Sequence, residues 1–265
     1  MVKKIVGTGV LLVLALALQA GVKMYTLKSP DGKVKLEVTA GQGIAYSLFY
    51  DGRLLLKPSR IALHTDLPEA DHWENIRITG TKQRHVSETV QAPFYRVKEF
   101  GIDCNELELR LNNGFSLLMR AYNDGMAYRF VAGRKGEMTV VEERAEFNFA
   151  DDFEAYIPYS TNPKDPWNMA FQNFYTKAPL TQYNTELPAF LPLTVDVGAV
   201  KLTLLESDLE AYPGMFVCGD GKTPALKGVF AAYPQETFKN KWRCQETVKT
   251  CRPYIARVAG KRTFP

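Results

Sequence analysis

Three groups of acidic residues are spaced closely enough for two carboxylates to act on one bond. They are Asp151, Asp152 and Glu154; Glu142 and Glu143; and Glu206, Asp208 and Glu210. Cleavage of a glycosidic bond needs one such pair, held about 5 to 10 Å apart. The alternation in VVEERAEF predicts a strand with Glu142 and Glu143 on its solvated face, and ESDLEAY (206–212) is typical of one short helix with first-turn acids. We therefore interpret all three groups as structural and assign no catalytic residue.

The histidines and cysteines form no catalytic or zinc pattern. The sequence contains no GxSxG, HExxH, GxGxxG or phosphate-loop motif, and we expect His64 and His72 to be solvated; His85 also stands outside any motif. The four cysteines are Cys104, Cys218, Cys244 and Cys251, with no CxxC pair. A disulfide between Cys244 and Cys251 and a set of reduced thiols are both compatible with this spacing.

Short segments with a period of two must position whatever site the chain has. KVKLEV, ELELRL and LPLTVDV alternate apolar and polar residues, which is typical of antiparallel sheets with one buried face. Glycine-containing turn signals separate such segments at Asp31-Gly32, Asp51-Gly52, Asn113-Gly114, Asp124-Gly125 and Asp220-Gly221. The sequence predicts an all-β fold: a large antiparallel β-sandwich of two stacked sheets, with fourteen or more strands, few short helices and long loops near 66–75 and 160–190.

One hairpin can be given a register from its charges. In FSLLMRAYNDGMAYRFV, a two-residue loop at Asp124-Gly125 would set Arg120 opposite Arg129, and facing like charges are unfavourable. A three-residue loop, Asn123 to Gly125, places Arg120 opposite Tyr128 instead. We predict the second register.

The segment from Tyr156 to Pro192 lacks the period of two. It is rich in proline, asparagine and aromatic residues, including Trp167, Phe171, Phe174 and Tyr175. Such a composition predicts a long surface loop. The loop either packs on its own sandwich, covers a sheet edge or reaches a neighbouring domain.

The first twenty residues predict export. Lys3 and Lys4 precede an apolar run of about 14 residues and a small-residue exit at Ala20, which is typical of a signal peptide and too short for a membrane span. We expect cleavage near Ala20, a periplasmic location, and no membrane association afterwards. Without the two leader lysines, 31 of the 33 basic residues stand against 29 acidic ones, which argues against nucleic acid as a partner.

Five segments together resemble a known family. SPDGKVKLEV, AYSLFYDGRLLLKPSRIAL, RAYNDGMAYRF, LPLTV with ESDLEAYPGMF, and YIARVAGKRTFP are similar, in this order, to the N-terminal domain of glycoside hydrolase family 97. The resemblance implies a β-sandwich over residues 21–265 that precedes a catalytic (β/α)8 barrel acting on α-glucosides or α-galactosides. It also implies that RTFP leads into that barrel, so that this chain lacks the catalytic domain and is inactive alone.

The resemblance further implies a possible share in a calcium site. In the glucosidase type of the family the sandwich contributes one glutamate to a calcium ion that barrel carboxylates also bind. The equivalent position is Gln172 in Phe171-Gln172-Asn173, where relatives resemble FEN, and Glu186 in NTELP is a second candidate. Gln172 would offer a neutral oxygen, so the isolated domain should not hold the ion strongly.

Two other functions stay open at this point. One is a free-standing periplasmic carbohydrate-binding protein that uses Trp73 or Trp167 as a stacking platform for sugar rings. The other is a small complete glycosidase that uses the acids named above. A module that has lost its barrel predicts an exposed apolar patch, whereas the binding protein predicts sugar binding by this chain alone.

Overall fold

The computed structural model describes residues 23–133, 136–167, 172–207, 209, 211–239, 246–259 and 263–264. The predicted signal peptide, residues 1–20, lies outside this part of the chain, as do Phe171, Asp208, Glu210 and Cys244. Nineteen strands and one short 3-10 helix make up the regular structure of the described residues. Among them, no helix has the length and hydrophobicity that crossing a membrane requires.

The strands follow one another along the chain with mostly short connections. They are β1 (Lys23–Lys28), β2 (Val34–Gly41), β3 (Gly43–Tyr50), β4 (Arg53–Thr65), β5 (Ile78–Gln91), β6 (Glu99–Leu111), β7 (Phe115–Tyr122), β8 (Gly125–Ala132), β9 (Glu137–Asn148) and β10 (Glu154–Ile157). After these come β11 (Thr176–Pro179), the 3-10 helix (Leu180–Gln182), β12 (Leu193–Asp196), β13 (Lys201–Leu204), β14 (Met215–Gly219), β15 (Ala225–Phe230), β16 (Pro234–Lys239), β17 (Glu246–Cys251), β18 (Ala256–Ala259) and β19 (Thr263–Phe264).

Two large antiparallel sheets form the body of the molecule. The first has the order β1-β2-β3-β4-β9-β15-β14, with β18 also pairing with β9, and the second has the order β19-β8-β7-β6-β5. A four-stranded sheet, β11-β10-β12-β13, and the β16–β17 hairpin lie outside these two. The predicted all-β sandwich is confirmed.

The core lies where the two large sheets face each other. In β2 and β7 every second residue is buried and the residues between are partly exposed. Leu36 and Val38 on one sheet, and Leu117 and Met119 on the other, are completely buried. Burial of each such side chain stabilises the fold by roughly 1.5 to 3 kcal/mol, which is why the period of two decides the architecture.

Trp73 is part of this core. The side chain is 5% exposed, and its indole nitrogen donates to the carbonyl oxygen of Leu63 at 3.1 Å. Its ring packs edge-on against Phe130, with the centroids 5.4 Å apart. The interpretation of Trp73 as a stacking platform for a sugar is therefore wrong.

The β7–β8 hairpin adopts neither of the two registers considered from the sequence. Tyr122 pairs with Gly125, so the loop is the two residues Asn123 and Asp124, and Arg120 lies opposite Ala127. β6 is the neighbour of β7 on its other side, and there the carboxylate of Glu106 accepts a hydrogen bond from Arg120 at 2.8 Å. The prediction failed because it considered only the partner strand within the hairpin.

A bulge in β9 overturns the predicted position of Glu143. Leu63 and His64 of β4 pair with Glu143 and Glu142, but the next residue, Thr65, pairs with Val140, so Val141 is left over. The extra residue reverses the alternation, because a single-residue shift moves side chains to the opposite face. Glu142 stays exposed as predicted, whereas Glu143 is only 6% exposed.

The described residues of ESDLEAY form no helix, which corrects the second interpretation of an acidic group. Both carboxylate oxygens of Glu206 accept the backbone N–H of Met215 at 2.9 Å. This contact ties the segment back to the start of β14 without a helical turn. The predicted loops near 66–75 and 160–190 are present, although β11 and the 3-10 helix interrupt the second one.

Three of the cysteines form no disulfide among the described residues. Cys104 is buried, Cys218 is half-buried and Cys251 is exposed. Because Cys244 lies outside the described residues, its pairing with Cys251 stays a prediction.

Candidate functional site

An open pocket of about 710 Å³ lies beside the small four-stranded sheet. Its walls come from the chain after β10, the segment leading into β11, the 3-10 helix and the turn that follows it. The side chains and backbone that line it include Tyr159, Ser160, Gln172, Asn173, Phe174 and Asn184. The aromatic, asparagine-rich segment singled out in the sequence thus forms a concave surface.

Two tyrosines hold the base of this pocket in place. Tyr159 packs edge-on against Tyr183, with ring centroids 5.0 Å apart. Tyr183 is 3% exposed, and its hydroxyl lies 2.7 Å from the carbonyl oxygen of Val217 on β14. Burial raises the pKa of the Tyr183 hydroxyl, so this group stays protonated and donates. The contact joins the pocket to the edge of the first large sheet.

The hydroxyl of Tyr159 extends this frame to the turn at Asn184. It accepts the backbone N–H of Asn184 at 2.8 Å, and the side-chain oxygen of Asn184 accepts the N–H of Glu186 at 3.1 Å. Asn173 donates from its side-chain nitrogen to the carbonyl oxygen of Tyr159. The loop before β11 and the turn after the 3-10 helix are therefore both fixed to one tyrosine.

The two candidate calcium ligands stand in different positions relative to the pocket. Gln172 is exposed and lines the pocket directly, next to Asn173. Glu186 is exposed on the turn that begins at Asn184 and is not among the lining residues. The structure therefore brings Gln172, and not Glu186, together with the other polar groups of the pocket wall.

The oxygen donors of the pocket do not make a calcium site by themselves. The lining residues contribute carboxamides and hydroxyls but no carboxylate, and no group of three acidic, histidine or cysteine side chains suited to a metal occurs among the described residues. Calcium sites use six to eight oxygens that normally include carboxylates. Gln172 fits at most one position of a coordination sphere completed by other residues.

Ser160 presents a buried polar atom at the pocket wall. Its residue is 1% exposed, and its hydroxyl oxygen has no hydrogen-bond partner among the described residues. A buried hydroxyl without a partner costs about 1 to 3 kcal/mol, so such groups commonly meet a water or a ligand. Sequence reasoning had not identified Ser160, Tyr159 or Asn184, because none of them belongs to a recognisable motif.

The lining chemistry suits a neutral, hydroxyl-rich molecule. Gln172, Asn173, Gln182 and Asn184 can both donate and accept hydrogen bonds, and Phe174 is fully exposed beside them. An exposed aromatic face packs well against the apolar face of a ring. The described lining contains no carboxylic acid and no histidine, the groups that most often act as general acid or base.

Trp167 lies near this region without lining the pocket. Its side chain is 37% exposed, and it packs edge-on against Phe216 of β14 at a centroid distance of 4.8 Å. Tyr175 is 46% exposed. The segment from Tyr156 to Pro192 therefore packs partly on its own fold and partly presents aromatic surface.

The acidic groups singled out in the sequence do not converge on this pocket. Asp152 accepts both the N–H and the hydroxyl of Thr181 at the start of the 3-10 helix, at 3.0 and 2.6 Å. The carboxylate of Glu154 lies 2.7 Å from the ammonium of Lys177 on the adjacent strand. Both acids therefore have structural partners.

The histidines also contact neighbouring side chains outside the pocket. The ring nitrogen Nδ1 of His64 lies 2.7 Å from the carboxylate of Asp71. His85 lies 3.0 Å from the carboxylate of Asp103, and His72 is exposed. His64 and His85 therefore each have a carboxylate partner, and none of the three histidines lines the pocket.

Buried Glu143 and partly buried Tyr212 form a hydrogen-bonded pair that the sequence did not predict. The hydroxyl of Tyr212 donates to the carboxylate of Glu143 at 2.6 Å. Burial, with a smaller contribution from the charge of Glu206, raises the pKa of Glu143 to about 7, although the hydrogen bond from Tyr212 opposes the shift. The pair docks the chain before β14 onto β9.

Comparison with known proteins relates the fold to one family. Residues 27–252 match the family described as Glycosyl-hydrolase 97 N-terminal. The chain is 38% identical over 258 residues to a retaining alpha-galactosidase of Bacteroides thetaiotaomicron, covering 94% of this chain and 38% of that protein. A probable retaining alpha-galactosidase of Streptomyces bingchenggensis is 26% identical over 158 residues, covering 58% of this chain and 24% of that protein.

Solved structures agree at the level of the fold. A Glycoside Hydrolase Family 97 enzyme from Pseudoalteromonas sp. strain K8, in complex with acarbose, superposes with a TM-score of 0.68 at 18% identity. The match covers 91% of this chain and 34% of that enzyme. The crystal structure of a beta-arabinopyranosidase gives 0.68 at 19% identity over 91% of this chain and 40% of that one. The chain spans less than half the length of each of these proteins, and it belongs to the Glycosyl-hydrolase 97 N-terminal family.

Proposed function

We propose that this chain is the non-catalytic β-sandwich domain of an exported α-glycosidase whose catalytic domain follows it in the same polypeptide. The observation that carries the proposal is the match to a retaining alpha-galactosidase over 94% of this chain but only 38% of that protein. In that relative, roughly 400 further residues lie outside the matched region, since 258 residues are 38% of its length. A (β/α)8 barrel occupies about 250 residues or more, so the remainder suffices for one.

The relatives support a choice of substrate class to test. Both curated relatives carry the name alpha-galactosidase, and one family structure contains acarbose. An α-galactoside is therefore the first substrate to test, and an α-glucoside the second.

Among the described residues, the pocket beside the small sheet is a surface that suits a contribution to a sugar site. Its carboxamides would hydrogen-bond sugar hydroxyls, and Phe174 would cover an apolar ring face. Gln172 would also supply one neutral oxygen to a calcium ion held mainly by carboxylates of the catalytic domain. This role rests on the position of Gln172 on the pocket wall.

Export is part of the proposal. The basic pair Lys3 and Lys4, the apolar run after it and the exit at Ala20 support a cleaved signal peptide and a periplasmic location. Amino-terminal sequencing of the secreted protein tests this, with a first residue near Gly21 as the expected result.

The nucleotide sequence downstream of codon 265 provides the direct test of domain organisation. An in-frame continuation of roughly 400 codons, with alternating strand and helix patterns, would support a catalytic barrel in the same polypeptide. A stop codon directly after Pro265 would contradict it.

A second function is favoured by the pocket itself. A free-standing carbohydrate-binding protein would use the same carboxamides and Phe174 without a catalytic domain. Titration calorimetry of the 265-residue chain with galactose, melibiose and maltose distinguishes the two. The binding protein predicts saturable heat that Phe174→Ala removes, whereas the domain of an enzyme predicts none at millimolar sugar.

A further inference from the structure

The β5–β6 hairpin extends beyond the body of the second large sheet. One row of paired residues crosses that sheet from Val86 through Cys104 and Tyr122 to Gly125. Beyond this row β7 and β8 turn back, but β5 and β6 continue for five more pairs, from Ser87 with Asp103 to Gln91 with Glu99. We call residues 87–103 the arm. Its paired part is about 17 Å long, at roughly 3.4 Å per residue.

The arm carries large apolar side chains that contact water. Phe94 is fully exposed, Tyr95 is 65% exposed and Val97 is 50% exposed, all three in the loop at its tip. Val90 and Phe100, which pair with each other across the two strands, are 41% and 39% exposed. Tyr95 and Phe100 pack together with ring centroids 5.6 Å apart, so these side chains form one patch.

The patch lies on the outer face of the second sheet, opposite the face that packs in the core. Leu107 and Leu109 of β6 belong to the core, whereas the period of two places Phe100 on the other face with Cys104, and its pair Val90 with Val86. The opposite face carries polar residues, including Gln91, whose side-chain nitrogen donates to Glu99 at 2.8 Å. The arm is therefore amphipathic, although Glu88 shares the face of Val90 and Tyr95 packs on part of Phe100.

Such a ribbon needs a partner. An isolated two-stranded hairpin is marginally stable in water, and an exposed cluster of aromatic and branched side chains marks an interaction surface. Even with Tyr95 packed on Phe100, the large apolar side chains of the patch remain at least 39% exposed. The partner must present an apolar surface at the end of the sheet from which the arm projects.

The path of the last described strand points toward this end. Thr263 pairs with Val131 and Phe264 with Phe130, so β19 runs along β8 from its end toward its start at Gly125. Gly125 belongs to the row from which the arm begins. A chain that continues past Phe264 therefore emerges at the arm's end of the sheet, three strand spacings or about 15 Å from β6.

We propose that the arm docks on the catalytic domain that follows Phe264 in the same polypeptide. This inference rests on the proposed function. A globular domain of roughly 400 residues is on the order of 50 Å across, so it spans the 15 Å between β19 and β6 without a linker. The exposed aromatic tip would enter its surface, and the polar face of the arm would stay in water.

Hydrogen–deuterium exchange tests this in the complete polypeptide and in the 265-residue chain. We expect the amides of the arm to exchange at least tenfold more slowly in the complete polypeptide. The double variant Phe94→Ser, Val97→Ser should remove that protection and leave exchange in the 265-residue chain unchanged. Phe238→Ser is the matched control, because Phe238 is 50% exposed on the separate β16–β17 hairpin, and it should leave the arm protected.

Each other outcome has a separate meaning. Equal exchange of the arm in both proteins, in a complete polypeptide that hydrolyses α-galactosides, would overturn the docking inference alone. Protection that appears in the 265-residue chain and grows with its concentration would overturn it in favour of a second copy of the chain. A complete polypeptide with no α-glycosidase activity would contradict the proposed function.

Discussion

Glu143 shows how one residue of backbone changes the chemistry of a side chain. The bulge at Val141 turns Glu143 toward the core, where the hydroxyl of Tyr212 is its hydrogen-bond donor. Glu206 and Tyr128 are the other titratable groups whose charge couples to it, and neither is a cation. A buried carboxyl in these surroundings favours its neutral form.

This environment makes stability depend on pH. The pKa of Glu143 is about 7 in the folded protein against an ordinary value of 4.5, so the folded state binds the proton more tightly. The stabilisation is fully present below pH 4.5 and is lost as the pH rises to about 7. Its upper limit is about 3 kcal/mol, since one pKa unit corresponds to ~1.4 kcal/mol.

Glu143→Gln should therefore remove most of the loss of folding stability that occurs as the pH rises. We expect the variant to be more stable than the wild type by about 1 to 3 kcal/mol at pH 8 and nearly equal to it at pH 4.5. Urea unfolding measured across this range checks the result. Glu142→Gln, on the exposed neighbour, is the control and should leave the wild-type pH dependence intact. Parallel curves for Glu143→Gln and the wild type would show that Glu143 does not titrate as described.

Gln172 carries a second prediction at this scale. Because the pocket lining contains only neutral oxygens, we expect the 265-residue chain to bind Ca²⁺ more weakly than about 1 mM, the weak end of the range for extracellular sites. Titration calorimetry with CaCl₂ measures this. Saturable binding at micromolar Ca²⁺ that Gln172→Ala abolishes would contradict the account.

The sequence predicted poorly which individual residues line the pocket. The composition of the segment from Tyr156 to Pro192 correctly indicated an irregular surface, and Gln172 does line a pocket there. Ser160 and Asn184 reach the same pocket through contacts with Pro188 and Tyr159, which are not encoded in any local pattern. Trp73 looked like a surface aromatic in a polar loop, yet the loop returns it to the core.

At the scale of the element, paired charges across three strands decide the register of the second sheet. Glu106 on β6 is 4% exposed and accepts from Arg84 on β5 at 2.6 Å and from Arg120 on β7 at 2.8 Å. Burial alone would raise the pKa of Glu106, but the hydrogen bonds and charges of the two arginines outweigh it and hold the pKa below its ordinary value. The carboxylate thus joins three strands.

Glu106→Gln should destabilise the fold by about 2 to 4 kcal/mol at pH 7, because it leaves two arginines facing a neutral partner. The depressed pKa means that the stabilisation exists above the ordinary value of 4.5 and disappears at lower pH, so the difference from wild type should shrink on acidification. Glu108→Gln is the control, since Glu108 is half-buried on the same strand and its carboxylate contacts only Ser116 at 3.3 Å among the described residues. Equal midpoints for both variants in thermal unfolding would contradict this.

Strand existence was predictable and strand pairing was not. Period-two segments such as KVKLEV identify β2 because alternate burial is a local property of an extended chain. The register of β7 on β8, in contrast, depends on Glu106 of a third strand and on Asn123, whose side-chain oxygen accepts the N–H of Asp31 at 3.0 Å. The sequence did not show that the apolar side chains at the tip of the arm are exposed. Their exposure depends on which other elements pack over them, and no local pattern encodes that.

At the scale of the whole molecule, the chain combines a well-packed sandwich with two exposed surfaces that do not contribute to its core. The two large sheets bury a continuous core. The pocket beside the small sheet and the apolar arm both add exposed aromatic side chains, Phe174 and Phe94 among them. Exposed aromatic patches of this kind are typical of interaction surfaces.

Activity on 4-nitrophenyl α-D-galactopyranoside tests this account most directly. We predict that the complete polypeptide releases nitrophenol and that the purified 265-residue chain, folded and at the same concentration, releases none above the buffer rate. Turnover by the 265-residue chain alone, abolished by substitution of one of its own carboxylates, would contradict it.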